Sequence, residues 1–158
     1  MKASDIMRTS FTSVEPAASL LEAAHLLLQT NQRALPVIKN GGELLGIISE
    51  GDFLHRNELG ISPPAANWLE SLLGVEENNS ARNRMNALRV EELMTKDPLC
   101  VDEEASLDEV VAQMDIRHIS QLPVVCGGIV VGMISRVELL TALESKLRES
   151  EASAPARS

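Results

Sequence analysis

Two stretches of this 158-residue chain carry side chains that could do chemistry at the same spacing. Gly46-Ile47-Ile48-Ser49-Glu50-Gly51-Asp52 places a hydroxyl three residues ahead of a carboxylate. Gly132-Met133-Ile134-Ser135-Arg136-Val137-Glu138 does the same with a glutamate. In each, a β-branched run ends near the serine, and a helical pattern is expected to start at the acid, Asp52 or Glu138. The first N–H groups of such a helix lack intrahelical partners, and the helix dipole favours an anion there. A carboxylate beside them can accept from hydroxyl groups, as one does from ribose in dinucleotide-binding folds. A serine followed by an acid three residues on is also what a helix start uses to cap itself, and both readings stay open.

The two stretches recur because the chain contains an internal repeat, the first thing a sequence should be searched for. With Met7 set on Met94, Val14 falls on Val101, Ala18-Ser19-Leu20 on Ala105-Ser106-Leu107, Glu22 on Glu109, and Leu35-Pro36-Val37 on Leu122-Pro123-Val124. One residue is lost where Asn40-Gly41-Gly42-Glu43 gives way to the shorter Gly127-Gly128 turn. Each copy reads as β-α-β-β-α. A short strand (Phe11 to Val14; Leu99 to Val101) leads to Ser19-x-x-Glu22 or Ser106-x-x-Glu109, a capping box in which the serine accepts and the glutamate reaches back. Apolar residues then follow at helical spacing: Leu20, Ala23, Ala24, Leu27 and Leu28, and in the second copy Leu107, Val110, Val111 and Met114. A strand opening on Leu-Pro-Val carries its proline where a missing N–H is tolerated. The glycine turn makes a hairpin with the strand that ends at Ser49 or Ser135. The fold class is therefore α/β (α+β), with the two copies expected to pack sheet to sheet about a pseudo-two-fold axis. The expected divisions are 1–56, an insert 57–90, 91–147, and a flexible tail 148–158. Within the insert, "AANWLESLL" predicts a short amphipathic helix carrying Trp68, either packed on its own domain or serving as an interface or lid.

Bulk composition removes several classes of function. A chain of this length can bury a sizeable core without staples, and with Phe11, Phe53 and Trp68 its only aromatic residues that core is aliphatic. A net charge of −9 opposes a nucleic-acid partner, which would call for clustered Lys and Arg and stacking aromatics. Nothing approaches a membrane span or a signal peptide, so a cytoplasmic protein with no membrane association is expected. Cys100 and Cys126 form no C-x-x-C pair and read as small buried hydrophobes on strands. His25, His55 and His118 lack metal-ligand spacing. Ile48-Ser49-Glu50-Gly51 superficially matches a nucleophile elbow, but Ile47 stands where the leading glycine belongs, and no enzyme is expected.

The ordered set Asp5-Ile6-Met7, Val14, Ala18-Ser19-Leu20-x-Glu22-Ala23, Leu35-Pro36-Val37 and Gly46-Ile-Ile-Ser49-x-x-Asp52 resembles a CBS domain. Glu92-Leu93-Met94 to Leu140 resembles a second. Together they are similar to a CBS pair, or Bateman module, of the stand-alone bacterial type that resembles the CBS-CBS part of CBS/BON proteins. The resemblance implies a regulatory sensor that binds an adenosine-containing ligand (AMP, ADP, ATP, NAD or S-adenosylmethionine) in clefts between the repeats, with no required cofactor. It implies Ser49 as a phosphate contact and Asp52 as a ribose contact, with Thr12, Ser13, Arg33, Ala34 and Pro36 about the base. In the second site Ser135, Glu138, Leu99, Cys100, Ser120, Gln121 and Pro123 correspond. Arg136 is placed to reach phosphate, whereas the equivalent Glu50 would oppose one or face solvent. Glu138 is a methylene longer than Asp52, so the first site is expected to be the better one. A homodimer is implied, with Phe53, Leu54, Leu139, Leu140 and Leu143 as its apolar faces. The signal would pass through that dimer or to an unidentified protein partner. The competing reading is a structural dimer with vestigial clefts.

Overall fold

The computed structural model describes residues 1–54 and 85–153. The insert helix expected around Trp68, His55 and the last five residues lie outside that range. The described elements run α1 (Ala3–Ile6), α2 (Leu20–Thr30), β1 (Ala34–Ile38), β2 (Leu44–Ser49), α3 (Glu50–Leu54), α4 (Val90–Leu93), β3 (Thr95–Lys96), β4 (Val101–Asp102), α5 (Leu107–Ile116), β5 (Gln121–Cys126), β6 (Ile129–Ser135) and α6 (Arg136–Ser153). They form two compact units that do not follow chain order: Thr12–Pro98, and Met1–Phe11 together with Leu99–Ser158. We call these the first-repeat and second-repeat units.

Each unit holds a three-stranded sheet of its own, β1-β2-β3 or β4-β5-β6. The hairpins form as the glycine turns predict. β1 pairs antiparallel with β2, and β5 with β6. Gly41 (φ 97°), Gly42 (φ 98°), Gly127 (φ 59°) and Gly128 (φ 84°) occupy the left-handed region that side chains avoid. The leading strands are shorter than expected. In the first-repeat unit only Val14 pairs, parallel to Val37, and in the second the strand is Val101–Asp102, parallel to Val124 and Val125.

The edge beyond each hairpin is covered by the segment that precedes the other repeat. In the first-repeat unit Thr95 and Lys96 pair with Ile47 and Gly46 of β2. In the second-repeat unit Arg8 pairs with Met133 of β6. A Cβ on Gly46 would sit 2.6 Å from the Met94 sulfur and 2.7 Å from the Thr95 carbonyl oxygen. On Gly132 it would strike the Met7 sulfur and sit 2.7 Å from Met7 Cγ. The glycine of each G-h-h-S stretch is thus needed for close approach, and the Asp5-Ile6-Met7 motif serves the repeat it does not precede.

Helix starts follow the capping logic with two corrections. Ser19 and Ser106 each accept from the N–H of Glu22 or Glu109 at 3.1 Å, but no bond from either glutamate back to its serine is found among the described residues. The chain entering each helix is held instead by backbone: Leu20 N–H donates to Leu88 C=O, and Leu107 N–H to Met1 C=O. The helices expected at Asp52 and Glu138 start two residues earlier, at Glu50 and Arg136. α6 also continues through Ser153, so residues 149–153, expected to be frayed, are helical. Its outer positions are dominated by Glu, Lys and Arg, good helix formers.

Two aliphatic cores result. One gathers Leu20, Ala23, Ala24, Leu27, Leu35, Val37, Ile48 and Phe53 with Met85, Val90 and Leu93. The other gathers Ala3, Val101, Val110, Met114, Leu122, Val124 and Ile134. Phe53 is only 1% exposed, so the apolar dimer face assigned to it is instead core. The cysteines depart from expectation as well. Cys126 is exposed at the end of β5, and half-buried Cys100 precedes β4.

Candidate functional site

In both units the hairpin sets the key serine beside the residue just before the Leu-Pro pair: Ser49 lies opposite Ala34, and Ser135 opposite Gln121. Each serine is the last residue of its strand and the helix starts immediately after it. The acid three residues on turns back to that serine. Asp52 Oδ2 accepts from Ser49 N–H at 2.8 Å and lies 3.3 Å from its hydroxyl. Glu138 Oε1 accepts from Ser135 N–H at 2.9 Å and from its hydroxyl at 2.6 Å. The extra methylene of Glu138 does not move the carboxylate away from its serine; it brings it closer to the hydroxyl. Both arrangements are helix caps, and both place a hydroxyl and an anion at a helix start on one end of a sheet. Ser49, Asp52, Ser135 and Glu138 are all half-buried.

The surroundings differ between the units. Around the first junction, Glu50 N–H donates to Arg33 C=O at 3.2 Å, and the exposed Arg33 side chain stands outside the sheet. Thr12 is brought to the start of β1 by a residue that sequence reasoning did not single out, Gln32. Its Oε1 accepts from Thr12 N–H at 2.6 Å, and its Nε2 donates to Thr12 C=O at 3.0 Å and Ala34 C=O at 3.1 Å. Ser13 lies instead at a groove of about 360 Å³ shared with Glu15, Ala17, Ala18, Glu22 and Leu26. Pro36 and Pro123 are buried within their sheets, where they contribute a missing N–H rather than a surface.

Around the second junction, Ile119 occupies the place of Gln32, and Leu99 and Cys100 the places of Thr12 and Ser13. Ser120 and Gln121 are half-buried at the start of β5. Burial pushes the Cys100 thiol up from its ordinary pKa. The exposed Cys126 thiol is pushed up too, first by its hydrogen bond with Glu103. Arg136 is exposed at the edge of a cavity of about 340 Å³ formed with Val111, Met114, Asp115, His118, Ile119 and Leu139. At the equivalent of Leu139 the first-repeat unit carries the buried Phe53.

A CBS domain model matches residues 3–58 and again residues 90–145. This chain belongs to the CBS domain family. Among relatives, it is 27% identical over 132 residues to a homoserine O-acetyltransferase of Methanococcus vannielii, covering 83% of this chain but 22% of the enzyme. The chain thus spans about a fifth of the curated relatives it matches first. Among solved structures, AcuB of Vibrio cholerae is 25% identical with a TM-score of 0.73 over 98% of both chains. The protein CBSX2, solved in complex with AMP, is 26% identical with a TM-score of 0.69 over 92% of this chain and 98% of its own.

Proposed function

We propose that this CBS pair is a regulatory module whose two half-sites take an adenosine-containing ligand, with AMP, ADP, ATP, NAD and S-adenosylmethionine as the chemical class. The observation that carries the reading is the Ser49–Asp52 pair. It sets a hydroxyl, a carboxylate and the first N–H groups of a helix at one sheet end, opposite Ala34. A phosphate suits the helix start, and a carboxylate accepts from vicinal ribose hydroxyls. The AMP complex of CBSX2 supports the ligand class. Such a ligand signals by preferring one arrangement of the protein over another, read through a homodimer or by a protein partner in the cytoplasm. Among the described residues no helix is long and apolar enough to cross a membrane.

A second reading has an observation of its own. Both acids already satisfy their serines, and α6 exposes Val137 (65%), Leu140 (67%) and Leu147 (67%). An interaction dimer with unused half-sites would present that same face.

A thermal-shift series with AMP, ADP, ATP, NAD and S-adenosylmethionine, run in parallel on Asp52→Ala, separates the two. A ligand at 100 times its Kd stabilises the folded state by about 2.7 kcal/mol. The adenosyl reading expects a rise in Tm that Asp52→Ala diminishes. No rise with any of the five, in a folded protein, favours the interaction dimer.

A further inference from the structure

The Gln32 carboxamide sits where a parallel ladder stops. Val14 N–H donates to Pro36 C=O and Ile38 N–H to Val14 C=O, the regular slanted bonds of a parallel pair. Two residues earlier the same ladder would run from Thr12 N–H to Ala34 C=O, and from the N–H of residue 36 to Thr12 C=O. Residue 36 is proline and has no N–H. The Thr12 carbonyl therefore loses its ladder partner. Gln32 serves that carbonyl and replaces the neighbouring ladder bond as well, accepting from Thr12 N–H and donating to the carbonyls of Thr12 and Ala34. The orientation of the amide is fixed by chemistry, since turning it over would set N–H against N–H and carbonyl against carbonyl.

A residue in an extended strand presents its N–H and C=O on one side, a donor beside an acceptor. The matching edge is an acceptor beside a donor, which a carboxamide offers and adenine also offers, with a ring nitrogen next to its N6 amino group. We propose that Gln32 is a resident plug on the base-reading peptide of the first half-site, so that an adenine ring engages Thr12 only by displacing the carboxamide. This rests on the adenosyl reading above. The second-repeat unit repeats the proline, as Pro123, but carries Ile119 in place of Gln32. Isoleucine has no group with which to cap the Leu99 peptide. The two half-sites then differ in how open their base-reading peptides are, and the first binds weakly until the plug swings out.

The test is calorimetric titration of AMP into the full chain carrying Gln32→Ile, the residue of the other repeat, or Gln32→Met, which keeps the length of the side chain without its amide. Each is compared with the wild type, with and without Asp52→Ala. The plug predicts an Asp52-dependent site that tightens roughly tenfold in both variants, equivalent to about 1.4 kcal/mol. Unchanged affinity in variants and wild type alike overturns the plug and leaves the adenosyl reading standing. Weakened binding in the variants overturns it too and makes Gln32 a reader of the base. Absence of AMP binding by wild type and both variants overturns the plug together with the reading beneath it.

Discussion

The first-repeat and second-repeat units share a frame and diverge around it. Both have a serine-capped helix, a glycine hairpin, an acid folded back on the strand-terminal serine, and a glycine pressed against a methionine from the other repeat's leader. They part at Phe53 against Leu139, Gln32 against Ile119, and Glu50 against Arg136. The shared positions make the fold and are the ones where backbone geometry leaves no choice. The divergent ones line the surroundings of each junction, where two copies of one fold can acquire different binding properties without loss of structure.

The largest expected contrast lies at the aromatic. Phe53 is buried among the first core cluster, and its truncation to alanine should cost about 3–5 kcal/mol. Leu139 is half-buried, so Leu139→Ala should cost less. Urea unfolding of both variants measures the gap, and equal costs would show that the second-repeat unit depends on Leu139 as fully as the first does on Phe53. The glycines should give a smaller contrast. Gly46→Ala drives a methyl group against the Thr95 carbonyl as well as the Met94 thioether, an overpacking expected to cost about 1–3 kcal/mol. Gly132→Ala meets Met7 alone among its nearest neighbours, with no backbone atom among them: the sulfur and Cγ can yield, and only Cβ, at 2.9 Å, is held by the backbone. Its loss of stability should therefore be the smaller one, and the reverse order would mean that Met7 is held more rigidly than the Thr95 backbone. The serine caps should show no contrast. Ser19→Ala and Ser106→Ala each remove one 3.1 Å bond to a helix N–H and should each cost about 1 kcal/mol. A marked inequality would show that the backbone bonds from Leu88 and Met1 do not support the two helix starts alike.

Much of this organisation is legible along the chain. Ser19 and Ser106 mark helix starts because a hydroxyl before an apolar 3.6-residue pattern has one favourable place to go. Gly41-Gly42 and Gly127-Gly128 mark hairpins because they permit positive φ between β-branched runs. Asp52 and Glu138 stand out because their spacing from a serine recurs. The shortness of the leading strands was not legible, since Phe11 to Val14 and Leu99 to Val101 have strand-like residues whose pairing depends on what lies alongside. Nor was the burial of Phe53, which looks the same as an interface phenylalanine until the core closes over it. Gln32 escaped notice although a signal was present, namely a proline interrupting a strand that must pair in parallel, next to a side chain able to replace the missing N–H.

The sequence by itself determined the repeat, the elements, the caps and the chemical types at each junction, because these rest on local propensity and on spacings that any partner must respect. Only the tertiary structure decided which leader covers which sheet. Residues 3–7 and 90–94 are nearly interchangeable in pattern, and each could have paired with its own repeat or with the other. Edge-strand hydrogen bonds and the fit of a thioether over a bare glycine decide between them, and those are non-local contacts. The tertiary structure likewise decided that an amide in the connection between α2 and β1 holds the peptide at Thr12. That contact joins residues 20 apart in the chain, a meeting that no local spacing records.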